Sequence, residues 1–448
     1  MRGPLPAALL AAAAVLVAQP VAAATPGPTV TDWPTYGSDA SNSRSHPGGP
    51  APSQVASLHQ LWRVDLTGDV TGTPVESGGQ VFIGTTNGAA SLAMAIDAAS
   101  GRVLWQTPVG GPINSSAAVD SGRVYFGVAT VGSPSLVALD QTTGRILWRS
   151  VLTTQPGSDL YASPALFNGD VVIGTSGLFA ELNQGGGTVR GTVARVTGST
   201  GRVAWRTFTV AAGHNGGGVW STAAIDPATG LGYVGTGNAY TAPADPRTDS
   251  ILQLNLTNGR IVRSFQATPN DVWNTATAPT GQDFDFGASP NLFRLADGTA
   301  VVGEGQKSGV YWLLRRDTLQ PLWSTRVSTG GFLGGILGST AASGGAIFGP
   351  ATVPGEVWSL SSAGSVRWLE PSPDAVKWGP VSLSNGVLYA ASSAGFLQAW
   401  NADTGVPLAE LPLAAGSFGG VSIATGRIFV NCGNMGGSGA VEAFGTSG

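Results

Sequence analysis

The sequence predicts an all-β protein folded as an eight-bladed β-propeller of four-stranded antiparallel blades. The first observation behind this prediction is composition, because charged residues make up 11% of the chain and 67 of its 448 residues are glycine. Such a chain favours short strands joined by tight turns over long helices. The second observation is a phrase that recurs along the whole chain and reads as a β-hairpin each time.

The recurring phrase consists of an alternating strand, a turn of the D-x-x-T-G type and a second short strand, as in LVALDQTTGRILW. Its eight copies, of which the opening LHQLW is partial, end at Trp62, Trp105, Trp148, Trp205, Arg263, Trp323, Trp368 and Ala409. A mean spacing of about 50 residues suits one propeller blade per copy. The alternative is a solenoid of hairpins, but the sequence lacks the polar capping repeats that a solenoid needs.

A second hairpin, such as NGDVVIGTSG, precedes most copies, so two hairpins form one blade. The C-terminal run SGAVEAFG is predicted to complete a blade that the N-terminal segment begins. The tryptophans that recur with the repeat are predicted to pack between blades, and they are Trp62, Trp105, Trp148, Trp205, Trp323 and Trp368. Residues 25–448 are therefore expected to form a single propeller domain.

The first 24 residues predict export. One arginine precedes an alanine-rich apolar run, and Ala22, Ala23 and Ala24 offer a small-residue cleavage site. This is the layout of a secretory signal peptide, with a signal anchor as the alternative. No other apolar run approaches the roughly 20 residues that cross a bilayer. We therefore expect a secreted or periplasmic protein without a membrane span.

Charge and cysteine content exclude several classes of protein. A net charge of −4 gives no reason to expect a nucleic-acid partner. The only cysteine, Cys432, rules out an intramolecular disulfide and is expected to be a buried small residue. With three histidines and no CxxCH motif, the sequence also argues against attached haem and against a His/Cys metal site. His214 is expected to be a loop residue.

Three consecutive blades, between Trp148 and Trp323, each carry roughly 15 additional residues, which loops on one rim would accommodate. The same interval holds residues outside the repeat, namely Glu181, Trp220, Asn238, Asp283, Asp285 and Lys307. Carboxylate and amide oxygens from neighbouring blades are what a hard cation such as Ca²⁺ requires. A site in the central channel is therefore predicted on these blades.

The motifs around these residues are GGGVW (Trp220), VGTGN (Asn238), DFDFG (Asp283 and Asp285) and QKSGV (Lys307). With them, the chain resembles the pyrroloquinoline quinone (PQQ) dependent alcohol dehydrogenases, in particular the polyvinyl alcohol dehydrogenase branch. The repeat and the opening DWPTYGSDASNSRSHPGGP extend the resemblance over nearly the whole mature chain. Non-catalytic propellers share the repeat, so the specific part of the resemblance is the set of non-repeating motifs.

The resemblance implies a cofactor site. Trp220 would support the flat PQQ ring, and Asn238 and Glu181 would bind Ca²⁺ together with Asp283. Lys307 would contact the quinone. Further cofactor contacts are assigned to Ser176, Trp378 and Arg190, the last as the candidate for a PQQ carboxylate.

The implied chemistry is hydride transfer from an alcohol to Ca²⁺-bound PQQ, with Asp283 as general base and Asp285 as the alternative. Lys307 would offset the charge that develops on the reduced quinone. The chain departs from many family members because one cysteine cannot form their adjacent cysteine pair. It also lacks the cytochrome domain of some relatives, which implies a separate electron acceptor such as a cytochrome c. Two functions stay open: an exported dehydrogenase for secondary or polymeric alcohols, and a non-catalytic propeller that binds a protein or glycan.

Overall fold

The computed structural model describes residue 3 and residues 32–276, 281–372, 376–433 and 436–446. The propeller lies within the compact unit Asp32–Gly448. The predicted signal peptide over residues 1–24 lies, except for Gly3, outside the described residues, so it stays a prediction. No helix among the described residues is long and apolar enough to cross a membrane.

The fold is the predicted eight-bladed propeller, with eight separate four-stranded antiparallel sheets. In seven blades four consecutive strands pair in chain order, and the first strand of each blade contacts the first strands of neighbouring blades around the channel. The strands of blades one to four are β2 (Val75–Ser77), β3 (Gln80–Gly84), β4 (Leu92–Asp97), β5 (Val103–Pro108), β6 (Ala118–Asp120), β7 (Arg123–Val128), β8 (Ser135–Asp140), β9 (Ile146–Val151), β10 (Ala165–Phe167), β11 (Asp170–Thr175), β12 (Thr192–Val196), β13 (Val203–Phe208), β14 (Ala224–Asp226), β15 (Leu231–Gly235), β16 (Ser250–Asn255) and β17 (Ile261–Gln266). Those of blades five to seven are β18 (Asn291–Arg294), β19 (Ala300–Gly305), β20 (Val310–Arg315), β21 (Pro321–Arg326), β22 (Ala341–Ser343), β23 (Ala346–Pro350), β24 (Val357–Ser361), β25 (Val366–Glu370), β26 (Ser382–Ser384), β27 (Val387–Ala391), β28 (Phe396–Asn401) and β29 (Pro407–Pro412).

Blade eight joins the two ends of the propeller. It consists of β30 (Val421–Ala424), β31 (Arg427–Cys432), β32 (Ser438–Gly445) and, as its outer strand, β1 (His59–Thr67). β1 pairs antiparallel with β32 along its length. The predicted closure of a blade by both termini is therefore confirmed, and it leaves the ring without a free edge between its first and last blades.

The recurring tryptophans pack between blades, as predicted. The indole Nε1 of each donates to a backbone carbonyl in the turn of the following blade, for example Trp105 to Gln141 at 2.9 Å. A glycine of that same turn, such as Gly144 with φ of 70°, lies directly against the ring, where a side chain would collide. The pairs are Trp62 with Ala98, Trp148 with Gly198, Trp205 with Leu256, Trp323 with Ser362 and Trp368 with Ala402.

A belt of hydroxyl groups joins the blades around the channel. Each member lies two residues before an inner strand, and from Ser163 onward its side-chain oxygen accepts the backbone N–H of the equivalent residue one blade earlier. The bonds are 2.8–3.2 Å long. In each, the first residue donates its backbone N–H and the second accepts with its hydroxyl oxygen: Ser116 to Ser163, Ser163 to Thr222, Thr222 to Ser289 and Ser289 to Ser339. This belt fixes how the segments that enter the inner strands face the channel.

Residues 33–48 lie across the inner strands. In six blades the second residue of the inner strand donates its N–H to this segment, for example Val119 to Pro34 at 2.9 Å and Leu383 to Arg44 at 2.8 Å. The segment thereby covers inner-strand edges that would otherwise leave donors unpaired. Arg44 is fully buried, and its guanidinium donates to the carbonyls of Val381 and Val421. Burial lowers the pKa of Arg44 to about 10.

Regular helix is limited, in the described parts of the chain, to a 3₁₀ helix at Pro52–Ser57 and one α-helix, α1, at Leu178–Asn183. The sequence did not predict α1, which lies in the additional residues of blade three. Cys432 is buried in β31, as predicted.

Candidate active site

The additional residues of blades three to five meet at one face of the propeller. Because the strands of a blade are antiparallel, the segment entering the inner strand and the loop after the second strand lie at the same end. Trp220, Asp283 and Asp285 precede inner strands, and Ser176, Glu181, Asn238 and Lys307 follow second strands. These seven of the nine predicted site residues line a cavity of about 360 Å³. We call it the main cavity.

Trp220 forms the floor of the main cavity. It also lines a smaller cavity of about 150 Å³ in the channel, so its ring separates the two spaces. The edge of the ring lies over Gly287 of the next blade, and a Cβ there would overlap Cη2 of Trp220. The glycine in DFDFG therefore makes room for the indole.

A buried ion-pair cluster lies above this floor. Nζ of Lys307 is 2.9 Å from Oδ1 of Asp283 and 3.1 Å from Oδ2 of Asp285. The same Nζ lies 5.4 Å from the centre of the Trp220 ring, and the indole Nε1 donates to Asp285 at 3.2 Å. Asp285 also accepts the backbone N–H of Asn238 at 2.7 Å. One ammonium is thus shared by two carboxylates on top of a flat aromatic ring.

The backbone around Asp283 is held by Asp271, which the sequence analysis missed. The Asp271 carboxylate accepts the backbone N–H groups of Gln282 at 2.8 Å, Asp283 at 3.2 Å and Phe284 at 2.7 Å. Asp283 itself has φ of 59°, in the left-handed region that costs a non-glycine residue about 1 kcal/mol or more. Asp271 therefore positions Asp283. The three residues it holds are consecutive but lie 11 to 13 positions further along the chain, so the sequence does not reveal the contact.

Glu181 reaches the cavity from α1. The helix is anchored by Asp159, which accepts the backbone N–H of Phe179 at 2.7 Å and the hydroxyl of Ser176. Glu181 is 5% exposed, and its Oε1 has no hydrogen-bond partner. An unpartnered buried carboxylate oxygen is costly, so a bound group is the ordinary explanation for one that lines a cavity.

The electrostatics of the cavity favour a cation. Burial, followed by the charge of Asp285, raises the pKa of Asp283 to about 8, although Lys307 opposes the shift. Burial and the charges of Asp285 and Asp283 raise the pKa of Glu181 well above its ordinary value. Burial lowers the pKa of Lys307, but the surrounding carboxylates raise it by more, so the net shift is upward. Among the described lining residues three carboxyl groups thus face one basic side chain.

The oxygen atoms present fit a hard cation. The Asn238 amide donates to the carbonyls of Ala239 and Trp273, both at 2.9 Å, which leaves its oxygen as the end free for a ligand. This oxygen and the unpartnered Oε1 of Glu181 are of the type that Ca²⁺ takes. In the described residues no three His, Cys, Asp or Glu side chains group closely enough to hold a metal ion by themselves. Further oxygens would have to come from a cofactor or water.

A planar anionic cofactor also fits the main cavity, but the arginine proposed for one of its carboxylates lies outside that cavity. The indole floor and Lys307 suit a planar quinone, and Ser176 lines the same cavity. Arg190, proposed for a PQQ carboxylate, does not line the main cavity, and its guanidinium lies 3.7 Å from the centre of the Phe208 ring. Trp378 lines the channel cavity on the other side of Trp220. The assignments of Arg190 and Trp378 stay predictions that the geometry does not support.

Apolar side chains form the rest of the main cavity, and the sequence analysis did not single them out. Trp273 and Phe332 stack with ring centres 5.8 Å apart, and Leu333 and Tyr240 are further lining residues. His214 lies outside this lining, with Nδ1 2.9 Å from the carbonyl of Pro243. Two of these wall residues, Phe332 and Leu333, come from a glycine-rich loop that offers no polar motif to read in sequence.

The comparison with protein families identifies the repeat. The model of the PQQ_2 family, described as outer membrane protein assembly factor BamB, matches residues 55–325. The chain belongs to the PQQ_2 family. The matched range contains eight of the nine predicted site residues, all but Trp378, but the family description by itself does not distinguish an enzyme from an assembly factor.

Curated relatives of this PQQ_2 protein carry enzyme names. A polyvinylalcohol dehydrogenase of Sphingopyxis sp. (strain 113P3) is 27% identical over 312 residues, covering 55% of this chain and 48% of the relative. A polyvinylalcohol dehydrogenase of Pseudomonas sp. is 28% identical over 349 residues, covering 64% of this chain and 55% of the relative. The chain thus spans about half the length of the curated relatives it matches. These names confirm the resemblance to quinoprotein alcohol dehydrogenases.

Solved structures agree on the fold. The quinohemoprotein alcohol dehydrogenase ADHIIG from Pseudomonas putida HK5 matches this PQQ_2 protein with a TM-score of 0.80 at 20% identity. The match covers 93% of this chain and 80% of that enzyme. At this level of identity the likeness establishes the architecture, and the chemistry has to be argued from the site.

Proposed function

We propose that this protein is an exported dehydrogenase that oxidises alcohols, among which secondary and polymeric alcohols are the candidates, and that it uses PQQ and Ca²⁺. The observation that carries the proposal is the cluster of Lys307, Asp283 and Asp285 over the face of Trp220. Buried ionisable groups with shifted pKa values in an accessible cavity are typical of catalytic sites, and packing of the blades does not require them. The similarity to proteins named polyvinylalcohol dehydrogenase supports the same reaction class.

The cation would be held by Glu181 and Asn238, with Asp283 as the third protein ligand. These residues come from three successive blades, so the rigid propeller sets the distances between them. Without a cation, burial and then repulsion from neighbouring carboxylates raise the pKa values of Glu181 and Asp283. A divalent charge would relieve this repulsion.

PQQ would supply the hydride acceptor and Ca²⁺ the Lewis acid that activates it. Trp220 would give the planar ring a flat support with an apolar face. Lys307 would place its charge beside the ring, where it offsets negative charge that develops during reduction. Ser176, which donates to Asp159, would border the edge of the same ring.

Asp283 would remove the proton from the alcohol oxygen. For this role its carboxylate must be ionised, and its pKa of about 8 lies within reach of physiological pH. A neighbouring cation would lower that pKa further and increase the ionised fraction at neutral pH. Lys307 holds the carboxylate in place through the 2.9 Å ion pair. Asp271 holds the backbone of residues 282–284 through the three hydrogen bonds that its carboxylate accepts.

Two parts of the proposal concern the surroundings of the enzyme. The signal-peptide pattern over residues 1–24 supports a secreted or periplasmic location, where PQQ and Ca²⁺ would be loaded. Electrons would leave to a separate acceptor such as a cytochrome c, since this sequence has no CxxCH motif for attached haem.

A second candidate function is a non-catalytic propeller that binds a protein or glycan. The observations that favour it are the description of the matching family model as an assembly factor and the absence of an adjacent cysteine pair from the sequence. It leaves unexplained why an unpartnered glutamate oxygen and a shared lysine occur together in one cavity.

The test is a titration of purified protein with PQQ in Ca²⁺, followed by absorbance, together with dye-coupled oxidation of a panel of alcohols. The proposal predicts saturable binding at one site per chain and alcohol-dependent dye reduction. Saturable binding should weaken strongly in Glu181→Gln and be unchanged in Glu370→Gln, a control outside the main cavity. Absence of saturable PQQ binding to well-folded protein would overturn the proposal.

A further inference from the structure

A second open cavity adjoins the main cavity and has no role in the proposed chemistry. It has a volume of about 330 Å³ and shares Tyr161, Leu178 and Leu182 with the main cavity. Its remaining walls come from the first three blades and from α1, namely Thr86, Pro112, Asn114, Ala129, Val131, Asp159, Phe179 and Asn183. We call it the side trough. The shared residues show that the two cavities are adjacent.

Several polar groups of the side trough are bonded within the protein. The Thr86 hydroxyl donates to Asn114 at 3.0 Å and to the carbonyl of Ile113 at 3.0 Å. The Asp159 carboxylate accepts hydrogen bonds from the Ser176 hydroxyl and from the backbone N–H of Phe179. The Asn183 amide donates to the Phe179 carbonyl at 2.9 Å. Few polar groups therefore remain for a ligand.

What the side trough offers to solvent is mainly apolar side chain. Val131 and Leu182 are each 44% exposed, and Tyr161 and Phe179 are each 36% exposed. Large apolar side chains that are grouped at a cavity mouth mark a binding surface. Single exposed apolar side chains scattered over a protein surface do not. Asp159 is the one acidic residue in the described lining, which contains no basic residue. A charged ligand would therefore lose hydration without gaining a counter-charge.

We propose that the side trough binds the aliphatic chain of the alcohol substrate, while its carbinol carbon lies beside Asp283 in the main cavity. This inference rests on the proposed function and narrows its substrate class to alcohols with an extended apolar carbon chain. Such a chain would cross from one cavity to the other beside Tyr161, Leu178 and Leu182, which line both. Val131, at the far wall, is the residue that distinguishes long from short chains.

The chain could belong to a long linear alcohol or to a polymer of secondary alcohols, which share a continuous carbon backbone. The polymer carries a hydroxyl on alternate carbons, and each would need a partner that the bonded polar groups of the side trough do not provide. The structure therefore favours the linear alkyl chain. Both substrates are included in the test because kcat/KM is expected to depend differently on chain length for each of them.

The test measures dye-coupled kcat/KM for linear secondary alcohols that lengthen by one methylene at a time, and for secondary-alcohol oligomers. With the wild-type holoenzyme, kcat/KM is expected to rise roughly fourfold per methylene until the side trough is filled. Oligomers should gain less with length. Val131→Asp should lower kcat/KM for long chains about tenfold or more and leave the shortest alcohol unchanged. Val406→Asp is the matched control, because Val406 is 56% exposed and lies outside both cavities.

A binding measurement separates this inference from the proposed function. Calorimetric titration with a long-chain secondary alcohol should show binding to wild type and to the Val406→Asp variant, and weaker binding to the Val131→Asp variant. If the PQQ-loaded protein oxidises no alcohol while this pattern holds, the proposed function is wrong and the side trough still binds an alkyl chain. Equal chain-length dependence in wild type and Val131→Asp, or equal binding by both, overturns the inference.

Discussion

The ammonium of Lys307 and the carboxylate of Asp283 form a buried ion pair, with Nζ 2.9 Å from Oδ1 and both side chains less than a tenth exposed. A second carboxylate, that of Asp285, lies 3.1 Å from the same Nζ. Removing the lysine would leave two buried carboxyl groups without their common partner. This relationship makes Lys307 a structural residue as well as a candidate catalytic one.

Replacing Lys307 with Met should lower the free energy of unfolding by about 3–5 kcal/mol, the range for breaking a buried pair. Chemical denaturation of the cofactor-free protein measures this. Arg315→Met is the matched control, because its ion pair with Asp317 is exposed, and it should change stability little. If both variants were equally stable, the buried pair would not have the role we assign to it.

Gly287→Ala should weaken PQQ binding by displacing Trp220. The added methyl group would overlap Cη2 of the indole, so the ring must leave the position in which it forms the floor of the main cavity. Absorbance titration with PQQ should show at least about a tenfold loss of affinity, comparable to other overpacking changes of 1–3 kcal/mol. Trp220→Phe removes the overlapping atom, so the double variant should bind no worse than Trp220→Phe alone. Additive losses would contradict the proposed contact.

Ca²⁺ affinity of the PQQ-free protein should rise with pH. Burial and the charge of Asp285 raise the pKa of Asp283 to about 8, and burial raises that of Glu181. Acids with raised pKa values keep protons in the folded protein that the unfolded chain has released. In the presence of a chelator, the free energy of unfolding should therefore fall as pH rises from about 4 towards 8. Added Ca²⁺ should restore it by binding the ionised carboxylates.

Calorimetry at several pH values measures both effects, including proton release on Ca²⁺ binding. Asp283→Asn removes one of the titrating groups and should reduce the slope of affinity against pH. An affinity independent of pH over this window would show that the cation does not contact these carboxyl groups.

Asp271→Ala should reduce turnover far more than cofactor affinity. Among the described residues, the Asp271 carboxylate acts on the cofactor site through the backbone N–H groups of residues 282–284, which donate to it. Loss of these bonds should let Asp283 move, and a shift of about 1 Å in a reacting group costs roughly 100-fold in rate. Dye-coupled kcat and PQQ affinity are compared in the same preparation. Asp271→Asn, which keeps one accepting oxygen, should recover part of kcat, and an equal loss of kcat and affinity would argue against a positioning role.

The sequence predicted the fold well because the repeat carries it. Each copy of the repeat contains the two strands and the turn of one hairpin. The tryptophan of one blade and the glycine in the turn of the next blade recur together, as Trp105 and Gly144 show. Site residues such as Trp220 and Lys307 could be found because they break the repeat. Their convergence in one cavity is a property of the ring, which brings three consecutive blades around a common channel.

Other features depend on contacts that a linear sequence does not display. The six residues of α1 are too few to be helical alone, and the helix relies on Asp159 at its start. Asp271 acts through backbone atoms in a distant part of a loop. Arg190 sits in the right motif, yet its side chain lies over Phe208, outside the main cavity. The side trough is assembled from apolar residues of separate blades that share no motif.

The most direct measurement compares wild type with Asp283→Asn in the presence of Ca²⁺ and PQQ. PQQ binding is followed by absorbance and alcohol oxidation by dye reduction. The account predicts that the variant still binds PQQ saturably, because the asparagine oxygen can still ligate Ca²⁺, and that it loses at least about 100-fold in kcat, because its amide cannot take the alcohol proton. A variant that binds PQQ and turns over at the wild-type rate would contradict the assignment of Asp283 as the base in this site.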